Sequence, residues 1–181
     1  MEGSKLKSKI ESSFLKLKSY CEAENFAGWD PYDGLNSKIF NALPFKHWDI
    51  ARLTWIQGFK RSPFNFRKLF LVPKEHNAKG VGLFLLGYCR LHQAADEGKL
   101  DFGSKQAIQK QIIYLTNLLL KMRVQGFAGA CWGYNFDWQA RRLFLFKKDT
   151  PTVVATCFCV EALLESYEIT KDKEVLKIAL S

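Results

Sequence analysis

Apolar residues recur at three- and four-residue spacings through almost every long segment of this chain, and that period commits it to helices rather than sheets. Leu6, Ile10, Phe14, Leu17 and Cys21 fall on one face of a first helix, with lysines and serines on the other. A second helix is expected over residues 47–59, carrying Trp48, Ala51, Leu53, Trp55 and Ile56. Pro63 breaks it, and residues 64–71 read as a short helix closed by Pro73. Residues 77–95 are apolar on so many faces that they must be largely buried, and Gly80, Gly82 and Gly87 within them predict close packing against another helix. Ser104 is placed to cap a further helix whose buried stripe is Ile108, Ile112, Leu115, Leu119 and Met122, ended by Gly126. Thr150-Pro151 reads as an N-cap followed by proline at the first helical position, opening an apolar helix through Tyr167. A last helix starts near Asp172 and leaves Val175, Leu176, Ile178, Ala179 and Leu180 in need of cover, so a second chain, a protein partner or further sequence is expected over that stripe. The fold class is therefore all-α, an array of helical hairpins.

At 181 residues with 48% hydrophobic content, the chain can build a full core and is not a disordered segment. No uncharged apolar run reaches the roughly 18 residues that a spanning helix needs. The first nine residues are charged and contain no apolar signal core, so the expected location is the cytoplasm. Five scattered cysteines read as free, mostly buried thiols; Cys157 and Cys159 lie about 200° apart around a helix and cannot easily chelate one ion. The three histidines, His47, His76 and His92, show no metal-ligand spacing, so no structural zinc and no cofactor are expected. The net charge of +9 is spread thinly along helix faces without a nucleic-acid signature, so nucleic acid is not an expected partner.

The run Cys131-Trp132-Gly133-Tyr134-Asn135-Phe136-Asp137-Trp138-Gln139, followed by Arg141-Arg142, is the strongest candidate site. Aromatic rings, a carboxylate, amides and guanidinium groups in one Gly-broken loop can stack on a flat ligand face and hydrogen-bond its rim. Gly28-Trp29-Asp30-Pro31-Tyr32-Asp33-Gly34 echoes it as a second aromatic loop with acid groups, also set between helices. Trp132, Tyr134 and Trp138 are the stacking candidates, with Trp29, Tyr32 and Arg141 as further contacts. Asp137, Asp30 and Asp33 are the candidate catalytic acids, because acid/base glycoside chemistry needs two carboxylates brought from separate segments. Each has a structural alternative: Asp30 and Asp33 sit in turn-forming Asp-Pro and Asp-Gly steps, Asp137 can pair with a neighbouring arginine, and the tryptophans can plug the core. His76 is either a base or a solvated residue at a helix start.

Those two loops resemble a group of bacterial proteins found with capsular or exopolysaccharide synthesis genes, whose members often carry the label delta-aminolevulinic acid dehydratase-like. The resemblance extends through Pro73-Lys74-Glu75-His76-Asn77-Ala78-Lys79-Gly80-Val81-Gly82-Leu83-Phe84, Thr150-Pro151-Thr152-Val153-Val154 and Glu161-Ala162-Leu163-Leu164-Glu165-Ser166-Tyr167-Glu168. It covers most of the chain. It implies an α/α toroid, similar to six-hairpin glycosidases and terpenoid cyclases, of which this chain would supply the N-terminal portion. It also implies a role in making or modifying a surface polysaccharide, by recognising a sugar chain or glycosyl intermediate. Genuine aminolevulinate dehydratases resemble a (β/α) barrel with paired lysines and often a cysteine-rich zinc site, and neither pattern is present. Asp30-Pro31-Tyr32-Asp33 likewise lacks the aspartate-rich motif of terpenoid cyclisation. The alternative reading is a non-enzymatic helical module that binds another protein, with the aromatic loop as its anchor.

Overall fold

The computed structural model describes residues 2–96, 103–141 and 144–181. Among them, helices α1 (Glu2–Ala23), α2 (Lys38–Ala42), α3 (Asp49–Arg61), α4 (Ala78–Asp96), α5 (Lys105–Lys121), α6 (Val153–Thr170) and α7 (Lys173–Ala179) account for nearly all regular structure. The one sheet is a hairpin of two short antiparallel strands, β1 (Trp138–Gln139) and β2 (Leu145–Phe146), with Trp138 opposite Phe146. The chain is all-α in class. No described helix is long and apolar enough to cross a membrane.

The main core lies between α4, α5, α6 and α7. Val81, Leu85 and Cys89 of α4 meet Ile112, Leu115 and Leu119 of α5 and Cys159, Ala162 and Leu163 of α6. Each large aliphatic side chain buried this way contributes about 1.5–3 kcal/mol. α4 packs on both neighbours, and its contact with α6 is close: a Cβ added at Gly82 would stand 3.2 Å from the Phe158 carbonyl oxygen, so glycine sets the helix separation there. Gly80 and Gly87 make no such approach to another helix, so only one of the three glycines has the packing role expected of it. The hydroxyls of Thr116 and Ser166 join α5 to α6 at 2.7 Å, satisfying two buried polar groups with one bond.

Helix boundaries follow their caps. The Ser104 hydroxyl accepts from the Ala107 N–H and opens α5; Asp172 accepts from the Glu174 N–H and opens α7. Three expectations are corrected. The cap of α6 is Thr152, which accepts from the Ala155 N–H, while Pro151 stays outside the helix and bridges to Gly133. Residues 64–71 form turns instead of a helix, because Ser62 and Asn65 spend their side chains on the local N–H groups of Phe64 and Arg67. The C-terminal stripe is largely covered: Val175 and Ala179 of α7 are buried against α6, Leu176 and Ile178 are half-buried, and Leu180 just past the helix is exposed. An exposed apolar stripe runs along α1 as well, where Leu6, Ile10 and Leu17 are each 60% exposed, while Cys21 near the helix end packs on the core.

A second, smaller core of Leu35, Phe40 and Ile56 holds α2 and α3 together, with the Trp55 ring tilted against Phe40 at 4.9 Å. The β-hairpin docks on α3 through a polar tie: Arg52 Nε donates to the buried Gln139 Oε1 at 2.8 Å, and Asp49 pairs with the same arginine.

Candidate functional site

The two aromatic loops that echo each other in sequence face each other in space. They form opposite walls of a cleft of about 630 Å³, with Trp29, Asp30, Pro31 and Tyr32 on one side and Tyr134, Asn135, Phe136 and Trp138 on the other. The first turns of α4, with Asn77, Lys79, Gly80, Leu83 and Phe84, line it as well.

Each wall is fixed by backbone pairing before any side chain is considered. Gly28 and Glu75 exchange two main-chain hydrogen bonds, of 3.1 and 3.0 Å, which set the first loop against the segment leading into α4. Gly133 bridges Pro151 so closely that a Cβ there would lie 2.4 Å from the Thr150 carbonyl oxygen, so only glycine fits. Asn25 and Phe26 hold φ values of 52° and 60° in succession, a region that bulky residues rarely enter. The strain is held by neighbours: Phe26 packs on Phe84 and Tyr88, the Tyr114 hydroxyl donates to Asn25 Oδ1, and His76 Nε2 lies 2.8 Å from the Asn25 carbonyl. His76 therefore serves this turn.

Asp30 is the acid that the cleft presents. Its Oδ1 accepts from the Tyr32 N–H at 2.9 Å, and Asn77 Nδ2 stands 3.4 Å from its Oδ2. Burial pushes its carboxyl above the usual aspartate range, against the opposing pull of the Tyr32 N–H, Arg67 and Lys79. The Tyr134 hydroxyl is also raised, by burial first and then by the Asp30 charge. Asn77 bonds twice, since its Oδ1 caps α4 through the Gly80 N–H.

Asp33 sits behind this wall instead of in the cleft. It is 3% exposed and locked to Arg67, whose Nε donates to its Oδ1 at 2.8 Å. Its Oδ2 accepts from the Asp30 N–H, and Arg67 Nη2 donates to the Asp30 carbonyl at 2.9 Å, so the pair grips the Asp30 backbone from both sides. Burial moves the Asp33 carboxyl upward and Arg67 draws it back. This is a structural ion pair, which corrects the candidate catalytic role of Asp33.

The other predicted residues divide cleanly. Tyr32, Tyr134, Trp138 and Trp29 line the cleft, and Trp29 is fixed by its indole N–H donating to the Val72 carbonyl at 3.0 Å. Trp132 does not: it is fully buried, with Nε1 donating to the Leu119 carbonyl at 2.8 Å, and plugs the main core in place of offering a stacking face. Asp137 also lies outside the cleft lining; its carboxylate accepts from the Lys148 N–H at 2.7 Å and meets Lys147 at 3.4 Å. Among the described residues its partners are therefore lysines, and Arg141 is not one of them. Arg141 is exposed in the turn of the hairpin and does not line the cleft, and Arg142 lies outside the described residues.

Sequence reading missed Glu75 and Asn135. Glu75 Oε2 accepts from the amides of Asn36, at 3.0 Å, and Asn135, at 3.2 Å, with Lys148 at 3.7 Å. That donation fixes which way the Asn135 amide points, because the reversed amide would set oxygen against carboxylate. Asn135 Oδ1 is then a buried acceptor with no hydrogen-bond partner among the described residues, a cost of about 1–3 kcal/mol that a ligand hydroxyl or N–H would remove. The polar run around Glu75 ahead of a buried helix was the available signal.

Among the described residues, no group of three or more His, Cys, Asp or Glu could hold a metal ion. The cysteines are free, and burial pushes the Cys89 and Cys159 thiols up to about 12, which leaves them unreactive at neutral pH. Cys157 faces solvent while Cys159 is buried, the opposite orientations their spacing requires. Set beside protein-family models, curated proteins and solved structures, the chain matches none.

Proposed function

We propose that this chain recognises a carbohydrate in the cleft between its two aromatic loops, as part of making or modifying a bacterial surface polysaccharide such as a capsule, in the cytoplasm. The observation that carries the reading is the convergence of two sequence-distant aromatic loops on one cleft. Sugar rings present flat C–H faces that stack on aromatics and a rim of hydroxyls that needs both donors and acceptors. Tyr32, Tyr134, Trp29 and Trp138 supply the first, and Asp30, Asn77, Asn135 and Lys79 the second. The strained Asn25–Phe26 turn beside the cleft fits a site held in place at some cost to the fold. In this reading the helical hairpins are the N-terminal portion of an α/α toroid, with Asp30, whose proton is held more tightly than usual, as its acid.

Titration calorimetry against a panel of bacterial glycans tests the proposal. Trp138→Ala should weaken binding about tenfold or more, in line with the roughly 0.5–1.5 kcal/mol of a ring contact plus its lost apolar area. Asp137→Asn should leave binding unchanged, because that carboxylate lies outside the cleft lining. Absence of binding to every glycan by a folded sample would overturn the proposal.

One observation favours a second reading, a helical module that binds another protein: the exposed Leu6, Ile10 and Leu17 stripe of α1. With α1 as the anchor, in place of the aromatic loop that the sequence suggested for such a module, a Leu6→Ser, Ile10→Ser, Leu17→Ser variant loses its partner while Trp138→Ala keeps it.

A further inference from the structure

A second hollow of about 530 Å³ adjoins the cleft. The two share Phe26, Gly28, Trp29, Asp30, Pro31 and Phe84, so the first aromatic loop is a ridge between two lobes and not the far wall of one. Each lobe has the volume of a small-ligand site, which runs to about 300–1,000 Å³. A ligand confined to one lobe would use one flank of the Trp29–Pro31 ridge; an extended ligand uses both.

Most charged groups of the second lobe are paired. In the second, Arg67 is committed to Asp33 at 2.8 Å and Glu24 to Lys74 at 2.5 Å. Asp30, which faces both lobes, is countered by Arg67 and Lys79. Lys60 is the exception. Its ammonium donates to the Tyr32 hydroxyl at 2.5 Å and stands 4.4 Å from that ring, with no carboxylate within ion-pair distance among the described residues. The aromatic contact holds the cation in place without neutralising it. Ser62 and Asn65 line the same lobe with further polar groups. A positively charged sugar would be repelled there, and a neutral one would leave the ammonium unused.

We propose that the ligand is an oligosaccharide that lies across the Trp29–Pro31 ridge and fills both lobes, with a carboxylate-bearing sugar unit in the second lobe against Lys60. This deepens the carbohydrate reading above and rests on it. The ridge supplies stacking and the Asp30 backbone a fixed crossing point. Lys60 then sets the preference for acidic over neutral chains.

The test uses the full chain and a set of bacterial glycans one to six sugars long, each acidic member accompanied by its carboxyl-reduced form, with binding measured by calorimetry. Affinity should rise at least tenfold from monosaccharide to tetrasaccharide, and acidic chains should bind about tenfold better than their reduced forms at low salt. Lys60→Met, which removes the ammonium and its hydrogen bond to the Tyr32 hydroxyl, should abolish that preference by lowering affinity for acidic chains about tenfold more than affinity for their reduced forms. Tetrasaccharides binding no better than monosaccharides would overturn the two-lobe ligand, and an acidic preference that survives Lys60→Met would overturn the role of Lys60. If the reduced and acidic forms bind equally well, the acidic specificity falls while the carbohydrate reading stands. If neither form binds to a folded sample, both fall together.

Discussion

Residues 78–179 bury long aliphatic side chains between helices, whereas residues 28–72 bury only Leu35, Phe40, Ile56 and Val72 among their apolar residues and add a cluster of part-exposed aromatic rings and a set of polar ties. Asp33 with Arg67, Arg52 with Gln139, Ser37 with the Phe70 carbonyl and Asn41 with the Leu35 carbonyl hold the N-terminal region in shape. Apolar burial is non-directional, so it sets compactness without aiming any one group. Hydrogen bonds and ion pairs are directional, so they can hold a loop in a chosen orientation. The cleft lies where the two regimes meet, with loops from the polar side aimed across the start of α4 from the apolar side.

The sharpest way to break this contrast is to attack each region at its most committed residue. Trp132→Ala should cost about 5 kcal/mol, the upper end for removing a buried tryptophan, since it also strands the Leu119 carbonyl. Urea denaturation would report the loss, and hydrogen exchange should show it in α5 and α6. A cost under about 1 kcal/mol would mean that Trp132 is not a core plug and would return it to the candidate ligand surface.

Arg67→Ala should come next, at about 3 kcal/mol, because it leaves the Asp33 carboxylate buried without its partner. Here the exchange pattern matters more than the size: residues 28–72 should lose protection while α5 keeps it. Equal loss in both regions would show one cooperative unit and dissolve the distinction. Arg67→Met with Asp33→Asn should recover much of the stability, since it removes the buried charge along with its partner.

A smaller effect is expected on α1. Leu6→Ser, Ile10→Ser and Leu17→Ser should each change stability by less than about 0.5 kcal/mol, because these side chains already face solvent. Thermal melts would check it. A drop of several degrees would place the stripe inside the cooperative core.

How much was legible in the sequence follows the same division. The apolar helices α4 to α7 could be read from period, because burial of a stripe is written into spacing, and α5 from its Ser104 cap, whereas the cap of α6 was placed two residues early. Residues 64–71 misled, since their apolar run looks helical while Ser62 and Asn65 divert the local N–H groups into turns. At the site, aromatic and acidic residue types singled out the two loops that line the cleft, but type could not separate Trp132 from Trp138. One is sealed against α5 and the other stacks on Phe146 at 5.2 Å with 37% of its surface exposed. The polar run around Glu75 was visible ahead of α4, but its pairing with Asn135 is a meeting of residues 60 positions apart, which no local pattern encodes.

Asp30 offers the finest test of whether the polar region is organised for a ligand or only for itself. Its carboxyl is held above the ordinary aspartate value, with burial the largest cause. A group that binds its proton more tightly in the folded than in the unfolded chain adds stability that is fully present below the unfolded value and is lost as pH rises through the folded one. Wild-type protein therefore bears a cost at neutral pH that it does not bear in acid. Asp30→Asn keeps an acceptor for the Tyr32 N–H and carries no charge, so its melting temperature relative to wild type should be more favourable at about pH 7 than at about pH 3. Paired melts across that range measure the difference directly. A constant difference, or one that favours wild type as pH rises, would show that Arg67 and Lys79 outweigh burial. Asp30 would then be one more polar tie of the N-terminal region. The expected sign makes it instead a carboxyl kept in the cleft at a cost to the fold, which packing alone does not account for.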